Sequence, residues 1–326
     1  MKAILCTAFG ANDNLRFGEL PDLAPGPREV VVDVHAAAVG FMDLLMAQGK
    51  YQMQPPLPYV PGTDAAGVVR AVGPQVTRFR AGDRVACGGW YGAWAEQMRA
   101  AEDATVLLPA EVGFATAAAI RYAYGTARYA LVTMAALQPG EVLFVSGAAG
   151  GVGLAAVDLG RHLGARVIAG VGSRAKAGTV REYGATDVIV YGEEDLRDRI
   201  RALTEGRGVD VCLDNVGGRI FDTMSRQMNW NGRLLPIGFT SGEIPALPAN
   251  LPLLKNYALV GAFWGAWTQR FPHESAAADA TLMRMVAAGE LRPCISRVLP
   301  WEDHVQAIAA IATREARGRI VLSVRP

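Results

Sequence analysis

Apolar and polar residues alternate in blocks through the middle of the chain, and these blocks predict strands and helices in turn. Short apolar runs bounded by turn residues indicate buried strands, and longer amphipathic stretches between them indicate helices. Predicted strands are 142–145, 166–169, 187–190, 209–213, 233–238 and 258–263, and predicted helices are 116–137, 152–163, 175–183, 193–204 and 221–229. This alternation is typical of βαβ units, in which a parallel sheet carries helices on both faces. We therefore predict an α/β, doubly wound domain over residues 124–265.

The two ends of the chain show a different pattern. The N-terminal part is rich in predicted strands separated by Pro-Gly and Gly-Asp turns, which favours a small β-barrel. Its clearest strands are 30–36, 65–73 and 83–87, and the C-terminal part adds helices at 276–288 and 301–312 and strands at 295–299 and 319–324. We expect this tail to pack back on the N-terminal part, so that residues 1–123 and 266–326 form one domain.

The first strand of the middle domain ends in a glycine-rich loop, Ser146-Gly-Ala-Ala-Gly-Gly-Val-Gly153. A strand, a tight glycine turn and a helix N-terminus in that order bind a dinucleotide pyrophosphate, because exposed helix N–H groups hold the anion. A side chain at Gly150 or Gly151 would obstruct the phosphates, and Gly153 would let the helix pack closely on its strand. Ala148 replaces the first glycine of the usual fingerprint, so an ordinary glycine-rich loop is the alternative. The βαβ context favours the dinucleotide site.

The end of the second predicted strand carries the residues that distinguish NADPH from NADH. A site for NADH usually has Asp or Glu about 20 residues beyond the glycines, which accepts a hydrogen bond from the ribose hydroxyl. This chain has Gly172, Ser173, Arg174 and Lys176 there instead. A hydroxyl and two cations suit a 2′-phosphate. The alternative is that these cations belong to the solvated first turn of a helix. Cations at a helix N-terminus are unfavourable because they oppose the helix dipole, which suggests a compensating anion. We therefore expect NADPH.

Composition limits the classes of function. The 326 residues are 51% hydrophobic and 19% charged, which is typical of a globular protein of two domains. The formal net charge of +1 is too small for an electrostatic field that would attract nucleic acid or a membrane surface. No stretch reaches the roughly 20 apolar residues of a membrane helix, and the N-terminus lacks a secretory signal, so we expect a cytoplasmic protein. The 4 cysteines and 4 histidines are scattered without a C-x-x-C pair, so we expect neither a disulfide framework nor a zinc site.

Short motifs along the chain resemble those of one known family. They are Gly40-Phe-Met-Asp43, Gln48-Gly-Lys-Tyr51, 58–67, Gly82-Asp-Arg-Val85, Tyr124-Gly-Thr-Ala127, 148–153, Asp214-Asn-Val-Gly-Gly218, 232–238 and Leu254-Lys-Asn256. Over essentially its whole length the chain resembles the zinc-independent quinone oxidoreductases, the group of medium-chain dehydrogenases/reductases that includes zeta-crystallin. The resemblance implies a GroES-like catalytic domain together with a Rossmann domain.

The resemblance also implies a reaction without a metal. Zinc-dependent relatives carry cysteine near positions 39 or 40 and a Gly-His-Glu where this chain has Gly62-Thr63-Asp64. Val39, Gly40 and Thr63 cannot replace those ligands. The implied reaction transfers hydride from NADPH to a quinone or an α,β-unsaturated carbonyl. The substrate becomes an oxyanion, which hydrogen-bond donors stabilise. The family often has asparagine at Gly40 and tyrosine near Leu45, and their loss predicts a more apolar pocket.

The contacts implied by the resemblance divide into three groups. Residues against the nicotinamide ribose and pyrophosphate are Thr126, Gly150, Gly151, Val152 and Gly153. Residues around the adenosine phosphate are Gly172, Ser173, Lys176, Tyr191 and Arg314, and the loops flanking the nicotinamide carry Gly238, Phe239, Phe263 and Trp264.

Tyr51 matches a tyrosine that sits over the substrate in related enoyl-thioester reductases, placed to donate a proton. The alternative for Tyr51 is an aromatic in a loop before two prolines. Asp43 is expected to orient that loop or to contact the cofactor.

Three functions stay open from the sequence. The first is an NADPH-dependent reductase of quinones or activated alkenes. The second is an enoyl-thioester reductase, which predicts a basic rim for a pantetheine phosphate. The third is an NADPH-binding protein with a structural or regulatory role. The apolar segment 257–263, expected at a sheet edge, invites pairing with a second copy and predicts a homodimer.

Overall fold

The computed structural model describes residues 1–10 and 14–325, and 11–13 and 326 lie outside this description. The described chain divides into two compact units. Unit 1 comprises Met1–Tyr122 together with the segment from Trp267 onward, and unit 2 comprises Ala123–Ala266. In the described part of the chain, no helix has the length and apolar character needed to cross a membrane.

Unit 1 is built on a largely antiparallel sheet. Its strands are β1 (Lys2–Cys6), β2 (Leu15–Glu19), β3 (Glu29–Val39), β4 (Asp64–Val72), β5 (Arg84–Gly88), β6 (Gln97–Ala101), β7 (Thr105–Leu107), β14 (Ile295–Pro300) and β15 (Arg319–Ser323). β1 and β2 pair with each other, and the main sheet has the order β14-β15-β3-β4-β5-β7, with β6 also paired to β3. Trp94 lies in the core of this unit. It is fully buried and donates its indole N–H to the Ala38 carbonyl at 3.0 Å.

The C-terminal tail completes the N-terminal sheet. β15 runs antiparallel to β3, with Ile320 opposite Val39 and Ser323 opposite Ala36. β14 then lies parallel to β15 at the sheet edge. The helices of this unit, including two that reach across its boundaries, are α1 (Phe41–Ala47), α2 (Phe114–Arg128), α8 (Trp264–Arg270), α9 (Pro272–Ala287) and α10 (His304–Ala312). Unit 1 therefore depends on pairing between residues far apart in sequence.

Unit 2 is a parallel sheet with helices between its strands. The strands are β8 (Val142–Val145), β9 (Arg166–Val171), β10 (Asp187–Val190), β11 (Val209–Asp214), β12 (Met228–Pro236) and β13 (Ala258–Leu259), and the helices are α3 (Gly151–His162), α4 (Ala177–Glu182), α5 (Leu196–Leu203), α6 (Gly218–Ser225) and α7 (Asn250–Lys255). The strand order is β10-β9-β8-β11-β12-β13. The chain moves outward from β8 to β10 and then returns to continue from β11, so the order reverses between β8 and β11. The predicted Rossmann architecture is confirmed.

Several element boundaries differ from the sequence predictions. The helix predicted at 193–204 begins at Leu196, because the Asp195 side chain accepts a hydrogen bond from the Asp198 backbone and so caps it. The helix predicted at 221–229 is Gly218–Ser225, since Met228 already pairs with Val209 in the sheet.

The two segments that flank the middle domain also differ. The helix predicted at 116–137 is α-helical only to Arg128 and continues as a π-helical segment, Tyr129–Met134. The strand predicted at 258–263 is short: it covers only Ala258–Leu259, and Trp264 already begins a helix. In both places the apolar pattern continued beyond the point where the backbone changed its hydrogen bonding.

Candidate functional site

The carboxyl ends of β8 and β11 meet where the strand order of unit 2 reverses. In doubly wound sheets, ligands bind outside the carboxyl ends of the strands at such a switch point. Ser146 follows β8 directly, and Asp214 and Asn215 end and follow β11. The glycine-rich loop predicted from the sequence therefore starts at the position where a doubly wound fold binds its ligand.

The loop after β8 contains a glycine in the left-handed region and leads into helix α3, whose N-terminus has no side-chain cap. Gly147 has φ +57°, and the Gly150 N–H donates to the Gly147 carbonyl at 3.0 Å. Gly150 is the N-cap of α3 and has no side chain with which to cap it, and the first turn of α3 contains no acidic residue. The N–H groups and the positive dipole end of α3 thus suit a bound anion.

The glycines of this loop have different structural roles. A Cβ on Gly153 would lie 2.3 Å from the Gly147 carbonyl oxygen, so only glycine lets α3 approach its own loop this closely. A Cβ on Gly150 would meet only that same oxygen at 3.4 Å, so on the protein side Gly150 is far less constrained. Ala148 is fully buried and its N–H donates to the Gly170 carbonyl at 3.0 Å. Its methyl group is therefore not exposed on the surface of the loop.

A buried polar network that the sequence reading did not identify holds the two strand ends together. The Ser146 hydroxyl donates to the Asp214 carboxylate, and the Asn215 N–H donates back to the Ser146 hydroxyl at 2.8 Å. Asp214 also accepts the N–H groups of Val216 and Gly217, each at 3.0 Å. Burial raises the pKa of Asp214, while these donors oppose that shift. The sequence does contain a signal for this network. A serine follows one predicted strand and an Asp-Asn pair follows another, and both strands end at the same edge of the sheet.

The residues predicted to flank the nicotinamide lie in two places in unit 2. The Gly238 N–H donates to the Asp214 carbonyl at 3.3 Å, so Gly238 and the following Phe239 lie at the switch-point edge. Trp264 is buried, and its indole fills the space above Gly125, where a Cβ would approach to 2.8 Å. The neighbouring Thr126 is buried on α2 and Phe263 is exposed. Trp264 is thus packed against the helix that carries Thr126.

The predicted adenosine-phosphate residues follow β9. Ser173 precedes a short 3₁₀ turn, Arg174–Lys176, and its side chain does not cap that turn. Around Gly172 a Cβ would meet no atom within 4 Å. An open glycine, a hydroxyl and two cations at one strand end fit a phosphate group. A further predicted residue, Tyr191, packs differently: its hydroxyl lies against Gly170, where a Cβ would be 2.0 Å away, and its burial raises the pKa of the phenol.

A second cluster of polar residues lies within unit 1, around Gly40 and Asp43. Asp43 is buried on α1, and its carboxylate accepts the Gly40 N–H at 2.8 Å, which closes the N-terminus of that helix. A Cβ on Gly40 would lie 2.7 Å from Nη1 of Arg319. The space that a larger side chain would need at Gly40 is therefore occupied by a guanidinium, and the more apolar pocket expected from the sequence stays a prediction.

Arg319 links α1 to the sheet and to the middle of α2. Its Nη2 lies 3.4 Å from the Asp64 carboxylate, and its guanidinium carbon is 5.6 Å from the centre of the Tyr122 ring. The Tyr122 backbone N–H donates to the same Asp64 carboxylate at 3.2 Å. Both Arg319 and Asp64 are buried. Arg319 and Tyr122 were not identified from the sequence, because the ion pair joins residues 255 positions apart.

The buried carboxyl groups of this cluster hold protons unusually well. Burial raises the pKa of Asp43 to about 7 and outweighs the opposing charge of Arg319. Burial likewise raises the pKa of Asp64 to about 6 against the charges of Arg319 and Arg121. A second buried ion pair, Arg121 with Asp279 at 2.9 Å, lies in the same unit. Asp43 therefore changes its protonation close to neutral pH.

The remaining predicted site residues of unit 1 are Tyr51 and Arg314. Tyr51 is half-buried against the core of the unit, and burial raises the pKa of its phenol. Tyr51 lies near Tyr122, since negative charge on Tyr51 would raise the pKa of the Tyr122 phenol. Arg314 has φ +59° in the turn after α10. Tyr51 thus belongs to the same cluster as Asp43, whereas Arg314 does not lie in unit 2 with the other predicted adenosine residues.

Metal-ligating side chains do not converge in the part of the chain that the structure describes. No group of three or more His, Cys, Asp or Glu side chains there is arranged to hold a metal ion. Gly40 and Thr63 stand where the resemblance had placed zinc ligands in other members of the superfamily.

Comparison with known proteins places both units in one superfamily. Residues 26–110 match the alcohol dehydrogenase GroES-like domain, and residues 151–280 match the family described as zinc-binding dehydrogenase. A quinone oxidoreductase-like protein 2 homolog from Nematostella vectensis is 38% identical over 304 residues, which cover 92% of this chain and 83% of that protein.

Two solved structures have the same fold over nearly the whole chain. A mycobacterial protein in complex with NADPH aligns with a TM-score of 0.93 and 30% identity, covering 99% of this chain and 100% of that one. The Escherichia coli quinone oxidoreductase in complex with NADPH aligns with a TM-score of 0.89 and 27% identity, again over 99% and 100% of the two chains. The glycine-rich switch point, the GroES-like sheet and these likenesses agree: the chain belongs to the zinc-independent quinone oxidoreductase family of the medium-chain dehydrogenase/reductase superfamily.

Proposed function

We propose that this protein is an NADPH-dependent, metal-independent reductase that transfers a hydride to a quinone or an α,β-unsaturated carbonyl compound. The observation that carries the proposal is the carboxyl edge of the unit 2 sheet. That edge combines the uncapped N-terminus of α3 with the Ser173, Arg174 and Lys176 turn after the adjacent strand. Two anion-binding features on neighbouring strands suit a dinucleotide that carries both a pyrophosphate and a 2′-phosphate.

The residues of unit 2 have distinct proposed roles toward the cofactor. Backbone N–H groups of 150–153 hold the pyrophosphate, and Ser173, Arg174 and Lys176 hold the 2′-phosphate. Thr126, Gly238, Phe239, Phe263 and Trp264 are assigned to the nicotinamide end. NADPH supplies the hydride when it is bound. The two solved relatives that contain NADPH support this assignment of the cofactor.

The unit 1 cluster has the groups that the second half of the reaction needs. Hydride addition to an electron-poor carbon leaves a delocalised oxyanion, which hydrogen-bond donors and positive charge stabilise. Arg319 supplies positive charge, and Tyr51 supplies a phenol that stays protonated, because burial raises its pKa. We assign Tyr51 as the proton donor to an enone. Asp43 holds the Gly40 end of α1 in place beside Arg319.

A steady-state assay of a substrate panel tests this function. NADPH oxidation is followed with quinones, enones and acyl-thioesters, before and after treatment with a chelator. We expect turnover of quinones or enones that is unchanged by the chelator. Turnover restricted to acyl-thioesters would replace the proposal with an enoyl-thioester reductase. Binding of NADPH with no turnover of any acceptor would leave a cofactor-binding protein and contradict the proposal.

The role of Tyr51 is tested with Tyr51→Phe. The variant removes the phenol proton and keeps the ring, so we expect kcat with enones to fall by roughly tenfold to a hundredfold, while quinone turnover falls much less. Tyr91→Phe is the matched control, because Tyr91 is an exposed tyrosine of the same unit. Equal rates for Tyr51→Phe and wild type across the panel would remove Tyr51 from the mechanism.

A further inference from the structure

One of the two cations expected to bind a 2′-phosphate, Arg174, is already paired with a carboxylate. Nε of Arg174 donates to the Glu193 carboxylate at 3.0 Å, and Nη2 of Arg174 donates to the same oxygen. Both side chains lie at the surface, Arg174 more exposed than Glu193. Two donors of one guanidinium therefore converge on a single carboxylate oxygen at the adenosine end of the sheet.

The pairing follows from the strand order. β9 and β10 are parallel neighbours, with Val171 opposite Val190, so the segments after these strands leave the sheet at the same edge. Arg174 follows β9 and Glu193 follows β10, and their side chains meet there. The sequence lacks an acidic residue at the end of β9, where NADH-binding sites usually carry one. The fold supplies a carboxylate at that place from the next strand.

We propose that Glu193 determines cofactor selectivity by competing with the 2′-phosphate for Arg174, and so reduces the preference of the protein for NADPH over NADH. This inference rests on the proposed NADPH site. A 2′-phosphate that binds Arg174 either shares its guanidinium with Glu193, close to a second negative charge, or displaces the Glu193 carboxylate. NADH has no phosphate at that position, so its binding leaves the pair intact.

Glu193 differs in its contacts from the adjacent Glu194, which provides a matched control. The Glu194 carboxylate accepts the Val190 N–H at 2.9 Å and pairs with Arg199 at 2.7 Å. Glu194→Gln removes the same charge one residue away without removing the hydrogen bonds to Arg174. Any effect that depends only on net charge at this edge is therefore common to both variants, and the effect of direct competition is confined to Glu193→Gln.

The test measures dissociation constants of NADPH and NADH for wild type, Glu193→Gln, Glu194→Gln and Arg174→Ala, by fluorescence titration of the full-length protein. We expect Glu193→Gln to bind NADPH roughly 1.5-fold to fivefold more tightly and NADH with unchanged affinity, which is the range set by one exposed ion pair. Adenosine 2′,5′-bisphosphate should follow NADPH, and AMP should follow NADH. In an Arg174→Ala background, Glu193→Gln should have no such effect, because the shared partner is missing.

The outcomes separate this inference from the proposed function. If wild type binds both dinucleotides and Glu193→Gln leaves the ratio of their dissociation constants unchanged, the inference is wrong and the proposed function stands. An equal change in Glu194→Gln would also overturn the inference, since it would show a net-charge effect. If wild type binds neither dinucleotide, the proposed function fails and the inference fails with it.

Discussion

The buried charges of unit 1 gather around Gly40, where glycine leaves room for a guanidinium. Asp43 and Asp64 share the neighbourhood of Arg319, and all three side chains are buried. Burial of several charges in one cluster is costly unless they are paired or neutralised. Because burial raises the pKa of Asp43 to about 7, Asp43 holds a proton below neutral pH. The state of this carboxyl group then affects both stability and the charge beside Arg319.

Asp43→Asn is expected to flatten the pH dependence of stability. The pKa of Asp43 is about 7 in the folded chain and close to 3.8 in the unfolded chain, so between those values the folded state binds the extra proton. The free energy of unfolding therefore falls as pH rises through this window, by up to about 1.4 kcal/mol per pH unit. Asparagine keeps an acceptor for the Gly40 N–H and carries no charge, so the variant should lose the Asp43 share of this dependence and keep the share of Asp64, whose pKa burial raises to about 6.

Urea denaturation at several pH values between 4 and 8 measures this difference. Asp222→Asn is the control, because Asp222 is exposed on α6 and its replacement should leave the pH dependence of wild type unchanged. Parallel curves for Asp43→Asn and wild type would show that Asp43 titrates normally in the folded protein.

Some residues of the candidate site could be proposed from the sequence, and others could not. Gly150, Gly153 and Ser173 were identified because each is defined by its distance along the chain from a predicted strand. Arg319 and Glu193 were missed because their contacts depend on the order of the strands. Arg319 reaches Asp64 because β15 pairs with β3. Glu193 reaches Arg174 because β10 lies beside β9. Periodicity predicts that strands exist, but it does not give their neighbours.

The loop from β8 to α3 is the element to which we assign the pyrophosphate of the cofactor. Gly153 allows α3 to approach its own loop, with backbone rather than a flexible side chain as the neighbour. Ala148, which departed from the usual fingerprint, is fully buried. The predicted order of strand, glycine loop and helix is therefore confirmed, although the bare motif was imperfect, and the cofactor contacts of this loop stay a prediction. The boundaries of α5 and α6 were predicted less well, because Asp195 and Met228 act through capping and pairing.

Gly153→Ala is expected to weaken both folding and cofactor binding. The added methyl group would lie 2.3 Å from the Gly147 carbonyl oxygen, so the loop or α3 must shift. We expect a loss of about 1–3 kcal/mol in the free energy of unfolding, as for other overpacked positions. We also expect NADPH affinity to fall by roughly tenfold or more, because the phosphate-binding N–H groups shift with the helix.

Gly178→Ala is the control for this substitution. Gly178 is a glycine in helix α4 around which a Cβ would meet no atom within 4 Å, so alanine should be neutral or slightly stabilising there. Chemical denaturation gives the stabilities and fluorescence titration gives the affinities. Wild-type NADPH affinity in Gly153→Ala would show that the close approach of α3 to its loop is unnecessary for binding.

At the scale of the whole molecule, the open edge of the unit 2 sheet stands out. β13 is the last strand in the order, and its Ala258 and Leu259 are exposed. Exposed leucines on the preceding helix, Leu253 and Leu254, add apolar surface. An unpaired strand edge with apolar side chains is a template for pairing with another chain. The homodimer expected from the sequence therefore stays a prediction, with β13 as the proposed contact.

Light scattering at micromolar concentration tests the dimer. Wild type is expected to have twice the mass of one chain, and Leu259→Lys is expected to shift the population toward one chain, because a lysine at the edge disfavours pairing. Leu107→Lys is the control, since Leu107 is similarly exposed but lies on β7 of unit 1. A wild-type mass equal to one chain contradicts the prediction.

The most direct measurement is an equilibrium titration of the purified, full-length protein with NADPH, with NADH titrated in parallel. The proposed phosphate sites at 150–153 and 173–176 predict saturable binding of one NADPH per chain, with tighter binding of NADPH than of NADH at low ionic strength and a smaller difference as salt is added. Failure to bind NADPH, or binding of NADH at least as tight under all conditions, would contradict the assignment of this edge to a phosphorylated nicotinamide cofactor.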